Sequence, residues 1–512
     1  MQQTKLMFKN SSAWRENPAV LWSMGLAGFF LVGTLISALS FPLMVRYGSF
    51  MAAVVIGGPI VLVVSVYAVP QFFSGWRSLR MSFGWQEWLW VLLFLSATTF
   101  AVPDVNQSLD ERLDSWAFLR IGIELIVAIV IAFRLSSGKS SLRYLFSGLP
   151  AMLTTFCGIA LVSTVWSVYP PFTLFKSLEY LLDVVVLAVI LESVRSAEDF
   201  IKLLNWTWVV YAMETGIAWV GAVVFPAYAW DDLGRLQSVY PKVGANNIGT
   251  TGATLALVAI SRLLWRDRKS DYAWYFVVFL YGMASLFVSQ TRNAIAGFMC
   301  GLFLLLVFDK RKWIVAVLSG IGIPLLLLTP VGTLVETYLR RGQSDEALHS
   351  LTGRLDWWVY AWQQLSYHPF TGLGAFAGGK FGVLAKLGVT DASYLHSDWL
   401  EILVGTSFWG ILAFLPAVIG TWWFLGKGIR ASWLGSAERQ AAVECFAVIG
   451  MLTVHSVFNN ELCWHPPLLF FVVLGYAELL RRRERSHEQS YVFAGAAPRW
   501  VAHSPALAGS EK

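Results

Sequence analysis

Long apolar runs, broken by short polar links, recur along most of the chain. They fall near 19–45, 49–73, 85–103, 117–133, 144–168, 173–192, 203–228, 247–264, 273–289, 293–308, 313–331, 398–425, 440–457 and 467–480. Runs of roughly 20 apolar residues are long enough to cross the hydrocarbon core of a bilayer as helices. A transmembrane barrel would show short alternating segments instead. The pattern therefore predicts an all-α, polytopic integral membrane protein with about 14 transmembrane helices. One polar and aromatic stretch, 332–397, interrupts the series late in the chain as a long loop.

Composition supports the membrane reading. Of 512 residues, 56% are hydrophobic and 14% charged, and the mean hydropathy is +0.59. A soluble domain carries about 25% charged residues. Residues 1–18 are polar and mildly basic, with no cleavable signal peptide evident. Cys157, Cys300 and Cys445 fall inside apolar runs and are expected to be packing residues; with Cys463, which follows the next-to-last run, they suggest no disulfide framework.

The +6 net charge is distributed in a way that sets orientation. With the N-terminus in the cytoplasm, every inner loop is basic: Arg77 and Arg80; Arg134, Lys139 and Arg143; Arg195 and Lys202; Arg266, Arg268 and Lys269; Lys310, Arg311 and Lys312; Lys427, Arg430 and Arg439. That is the positive-inside pattern. The organisation follows: a cytoplasmic N-terminus at 1–18, a first bundle at 19–331, the outer loop at 332–397, a last bundle at 398–480, and a basic, disordered cytoplasmic tail at 481–512.

Outer segments that break this bias are the candidates for chemistry. Arg235 lies between the seventh and eighth runs, and Arg292 in a tight turn between the ninth and tenth. Arg354 begins the amphipathic part of the long loop, shortly after Arg340 and Arg341. A planar, permanently charged fork suits phosphate, and several suit pyrophosphate. The competing reading is surface charge paired with lipid phosphate or with Asp231, Asp232 and Asp345.

Within the loop, Leu355, Trp358, Val359, Trp362 and Leu365 recur at helical spacing, predicting a helix on the outer interface or packed on the bundle. His368-Pro369 ends it, and Gly372, Gly374, Gly378 and Gly379 permit tight turns. His396 opens the next run and is the leading catalytic candidate, because a neutral imidazole can accept a proton. Anchoring a helix end is its alternative role. His368, Lys242, Tyr394 and Ser397 are supporting candidates. Glu124 and Glu214 fall inside runs, where they are either functional or paired between helices. No phosphate-cradling G-x-x-x-x-G-K-[ST] loop, spaced metal-ligand set or G-x-S-x-G elbow occurs, so neither a cofactor nor a metal is expected.

Four segments, 234–250 (GRLQSVYPKVGANNIGT), 289–298 (SQTRNAIAGF), 353–376 (GRLDWWVYAWQQLSYHPFTGLGAF) and 396–412 (HSDWLEILVGTSFWGIL), resemble the O-antigen ligase and O-antigen polymerase superfamily over roughly 160–480. The resemblance implies a C-type glycosyltransferase fold with a periplasmic loop in the bacterial inner membrane. It implies a glycan donor on undecaprenyl diphosphate, and a glycan, a lipid A core or a protein hydroxyl as acceptor. It further implies that Arg235 and Arg292, and with a weaker match Arg354, hold the diphosphate, and that His396 is catalytic or donor-positioning. The chain departs from the family pattern at Gly405, usually acidic, and at Ser407, usually Gly. Two other classes compete with the enzyme: a lipid-linked glycan flippase, disfavoured because no matching halves with broken helices are seen, and a non-catalytic scaffold in a glycan-assembly complex. No nucleic-acid partner is expected.

Overall fold

A computed structural model of the chain describes residues 84–98, 115–194, 196–231, 233–238, 243–265, 272–308, 337–338, 340, 350, 353–389, 392, 394–463 and 467–495. The expected runs at 19–45, 49–73 and 313–331 lie outside these residues.

Among the described residues the protein is helical, and every expected run from 85 onward other than 313–331 forms a helix. In lipid a spanning segment must satisfy its own backbone, which selects helix wherever the run is apolar. The helices are α1 (Trp85–Thr98), α2 (Ser115–Ser136), α3 (Gly148–Val162), α4 (Pro170–Ser193), α5 (Ala197–Val224) and α6 (Ala245–Trp265). There follow α7 (Tyr272–Val288), α8 (Arg292–Phe308), α9 (Arg354–Tyr367), α10 (Asp398–Arg430), α11 (Ser436–Phe458) and α12 (Leu468–Gly495). Five are long and apolar enough to cross a membrane: α3 with the turn that extends it to Trp166, α5, α6, α10 and α11. The protein is thus a multi-pass membrane protein.

Local chemistry sets the ends. Pro170 and Pro171 stand in the first turn of α4, where a missing N–H costs nothing. Ser196 caps α5 by accepting from the Asp199 N–H at 3.2 Å. The helix α12 runs past the expected boundary at 480 to Gly495, so the tail read as disordered begins as helix. Ion pairs hold this extension. Glu478 takes both Arg481 and Arg482, Arg483 pairs with Glu438, and Glu484 with Lys427. Burial of Glu478 is offset because its carboxylate also accepts the Leu149 N–H at 3.0 Å.

Helix α10 is the pivot of the bundle. It packs on α3, α11 and α12, while α8 packs on α11 and α6, and α7 on α6. The α6–α7 pair approaches closely at Gly252 and Gly282, where a Cβ on either would lie 2.7 Å from the other's backbone.

Helix α9 packs by one side and exposes the other. Ala361, Trp357, Trp358 and Tyr360 lie on a small core with Leu373, Val383, Leu384, Leu395 and Val404. Leu355, Val359 and Trp362 remain exposed. The packing reading of this helix is therefore met on one side, and an apolar face points outward on the other.

The glycine cluster joins the loop to α10. Ser407 sits inside α10 at φ 56°, ψ −158°, which interrupts the helical ladder and frees the Val404 and Gly405 carbonyls. The loop takes both: Leu373 N–H donates to Val404 O at 2.8 Å, and Gly374 N–H to Gly405 O at 2.9 Å. Gly372 needs φ 67° for this turn, and a Cβ there would lie 2.6 Å from Gly405 O. Ser407 Oγ donates to Pro369 O. A serine at this φ/ψ costs about 1–3 kcal/mol, more than the roughly 1 kcal/mol its hydroxyl bond contributes. Ser407→Gly is expected to raise the thermal midpoint of the purified protein in detergent. A lowered midpoint would show that the hydroxyl matters more than the strain.

Candidate active site

Four connections meet at one place: the segment between α5 and α6, the turn between α7 and α8, the loop around α9, and the link from α11 to α12. Leu236 N–H donates to Val288 O, which ties the first to the second. An isolated bridge between Trp230 and Leu236 shapes the first.

Three expected arginines are brought together here. Arg235 is oriented by Asp231, whose carboxylate takes Nε at 2.6 Å and the Arg235 backbone N–H at 2.9 Å. Its Nη1 stands 3.5 Å from Asn246 Oδ1. The Asp231 pairing anticipated as the structural alternative is therefore present. Arg292 begins α8 and lies within electrostatic reach of Arg235. Arg354 begins α9 after Gly353, and its Nη1 donates to Phe458 O at 2.8 Å. Burial depresses the Arg354 guanidinium; nearby Tyr394 opposes that, and the charges of Arg292 and Arg235 add to it. Like charges held this close attract a polyanion.

His396 faces this cluster at φ 54°. Its ring lies between Tyr394, at 4.5 Å and 64°, and Trp357, at 6.3 Å and 27°. Burial pushes the imidazole down to about 3; the Arg354 charge adds, and the hydrogen bond to Asn459 works the other way. The ring is therefore neutral near pH 7. Burial also raises Tyr394, which keeps its hydroxyl protonated.

The remaining expected residues divide. Ser397 is buried at the N-cap of α10, yet its side chain makes no capping bond. His368 ends α9 with its backbone N–H on Gln364 O and Leu365 O, and its ring is exposed. Among the described residues nothing ties that ring to the arginines, so His368 is a turn residue here: the proline that follows forces the chain away. Lys242 lies outside the described residues. Glu124 pairs with Arg120 at 3.0 Å, in a buried charge group with Lys176 and Glu179 on α4. Glu214 on α5 lies within electrostatic reach of Glu461.

Sequence reasoning missed the residues behind the histidine. Asp398, fully buried, accepts three backbone N–H groups, from Glu461 and Leu462 at 2.8 Å each and from Cys463 at 3.0 Å. It fastens the α11–α12 link to the start of α10. Asn459 Oδ1 stands 3.2 Å from His396 Nδ1. Glu461 Oε1 takes Asn459 Nδ2 at 3.1 Å and lies 3.2 Å from His455 Nδ1. A carboxylate directly after His-Ser at a helix start was the one available signal.

Residues 276–415 match the family model described as O-antigen ligase. This part of the chain is an O-antigen ligase domain. No curated protein matches the chain. The ligase domain runs from α7 into α10 and contains Arg292, Arg354, Tyr394 and His396. Arg235, Asn459 and Glu461 lie beyond its limits and are brought to it by the fold. The family points to a glycosyl-transfer enzyme that takes a lipid-linked glycan donor and an acceptor. The departure at Gly405 has a local cause: a Cβ there would lie 3.0 Å from Ala375 Cα, so the ligase domain of this chain has little room for a larger residue.

Proposed function

We propose that the protein transfers an undecaprenyl-diphosphate-linked glycan to an acceptor hydroxyl at the periplasmic face of the bacterial inner membrane, as an O-antigen ligase or an O-antigen or exopolysaccharide polymerase. The observation that carries this reading is the convergence of Arg235 and Arg292 on Arg354, which in turn stands beside a half-buried, neutral His396. In the reaction the bond from the anomeric carbon to the diphosphate oxygen breaks. The acceptor oxygen takes its place, and undecaprenyl diphosphate leaves. Arginines stabilise the charge that develops on the leaving diphosphate. The acceptor loses its proton, for which the His396 ring offers a lone pair. The exposed apolar face of α9 would rest at the lipid interface beside the donor's tail. Basic inner loops support a reading with both termini in the cytoplasm and this site outside.

Reconstitution tests the proposal. Purified protein is mixed with an undecaprenyl-diphosphate glycan from the same cell, with and without lipid A core. Transfer to the core identifies a ligase, and chain lengthening without it a polymerase. Movement of the glycan across a liposome bilayer with no new glycosidic bond would overturn the enzyme reading in favour of a flippase.

A further inference from the structure

The catalytic histidine needs one nitrogen free of its proton, and which one depends on what the other touches. His396 Nδ1 lies 3.2 Å from Asn459 Oδ1. A carboxamide can offer either end, so this contact alone does not decide the matter. Glu461 does. Its Oε1 contacts the other end of the same carboxamide, Asn459 Nδ2, at 3.1 Å. Glu461 Oε1 is the acceptor in that contact, so the NH2 group of Asn459 faces Glu461 and its oxygen faces His396. An amide oxygen only accepts, so His396 Nδ1 must carry the hydrogen. The lone pair is left on Nε2.

We infer that Asn459 and Glu461 are positioning residues that hold His396 as the Nδ1–H tautomer, with Nε2 as the proton-accepting atom. The inference rests on the catalytic reading of His396 given above. It adds two residues outside the matched ligase domain to the site.

Glu461 is itself fixed in place. Thr250 Oγ1 lies 3.4 Å from Glu461 Oε1, and His455 Nδ1 lies 3.2 Å from the same oxygen. His455 is fully buried, and its Nε2 meets Thr250 Oγ1 at 3.2 Å. Asp398 holds the backbone of Glu461 from two residues beyond His396. One short stretch, His396 to Asp398, thus carries the histidine and fastens the link that orients it. Such an arrangement does for an imidazole what the orienting carboxylate or amide does in hydrolase triads. Burial lets a neutral partner suffice, since the ring must stay uncharged until it takes the proton.

The test is spectroscopic as well as kinetic. The 15N spectrum of histidine-labelled full-length protein in detergent is recorded, with the His396 signals assigned by their loss in His396→Gln. The wild type is expected to show protonated Nδ1 and unprotonated Nε2. Asn459→Ala and Glu461→Gln are expected to show mixed tautomers. In the transfer assay kcat should fall between about 10- and 100-fold, with KM for the lipid-linked donor unchanged. An Nε2–H tautomer in the wild type overturns the inference whatever the activities are. Variants that lose kcat while keeping the wild-type tautomer overturn it too. If the wild type transfers no glycan but shows the Nδ1–H tautomer, the enzyme reading falls and the orienting chain stands as structure alone.

Discussion

His396→Ala is expected to lose between about 10²- and 10⁴-fold in glycan transfer, the range spanned by removal of a positioned general base, while the protein still reaches the membrane at normal levels. His396 packs between Tyr394 and Trp357 without anchoring a helix core, so its truncation leaves the bundle intact. Normal transfer by this variant would remove His396 from the mechanism. The pH profile gives a second check. Folding lowers the imidazole from its ordinary 6.5 to about 3. The stability gained by keeping it neutral is therefore complete above about 6.5 and is lost as the pH falls toward 3. Transfer should consequently show no acid limb near 6.5 attributable to this group. An acid limb there that disappears in an active His396→Gln protein would mean that the ring titrates as if in water.

The second large effect is expected at the arginines. Arg292→Ala should lower kcat by about 10²- to 10³-fold, equivalent to about 3–4 kcal/mol of charge stabilisation in the transition state. Arg235→Ala should cost less, because Asp231 already neutralises part of its charge. Arg292→Lys should recover only a part, since an ammonium lacks the two-pronged fork that matches a diphosphate. The measurement is single-turnover transfer from the undecaprenyl-diphosphate donor, with donor binding followed separately. If Arg292→Ala transfers at the wild-type rate, the diphosphate is held elsewhere. If donor binding weakens while kcat is kept, Arg292 recruits the donor without stabilising the leaving group.

These effects bear on the division of labour in the site. In the proposed mechanism arginines from three separate connections would supply charge, and the histidine a lone pair. Beyond burial, the Arg354 guanidinium also disfavours a proton on His396. In the proposed mechanism Arg354 would therefore both face the diphosphate and keep the base ready.

The linear chain was enough for much of this. Apolar runs from 85 onward, other than 313–331, became helices at nearly the expected places, because a run with no water around it must close its own hydrogen bonds. The amphipathic repeat in 354–367 was legible for the same reason of period. So were the arginines, since a charge on the side opposite to the basic loops stands out in an apolar chain. What tertiary structure alone decided is which polar groups meet. Asn459 lies 63 residues from His396 and carries no period or motif that points to it. Asp398 reads as an ordinary acidic residue at a helix start until the α11–α12 link is seen folded over it. His368, a supporting candidate because it ends the loop helix before a proline, has its ring turned outward. The break at Ser407 has no proline or glycine at the site to announce it; it exists because the loop at Leu373 and Gly374 takes the carbonyls that the helix gives up. Hydrophobic period is a local property and survives in one dimension. Hydrogen-bond partnership between distant polar groups is not, and only the packed chain determines it.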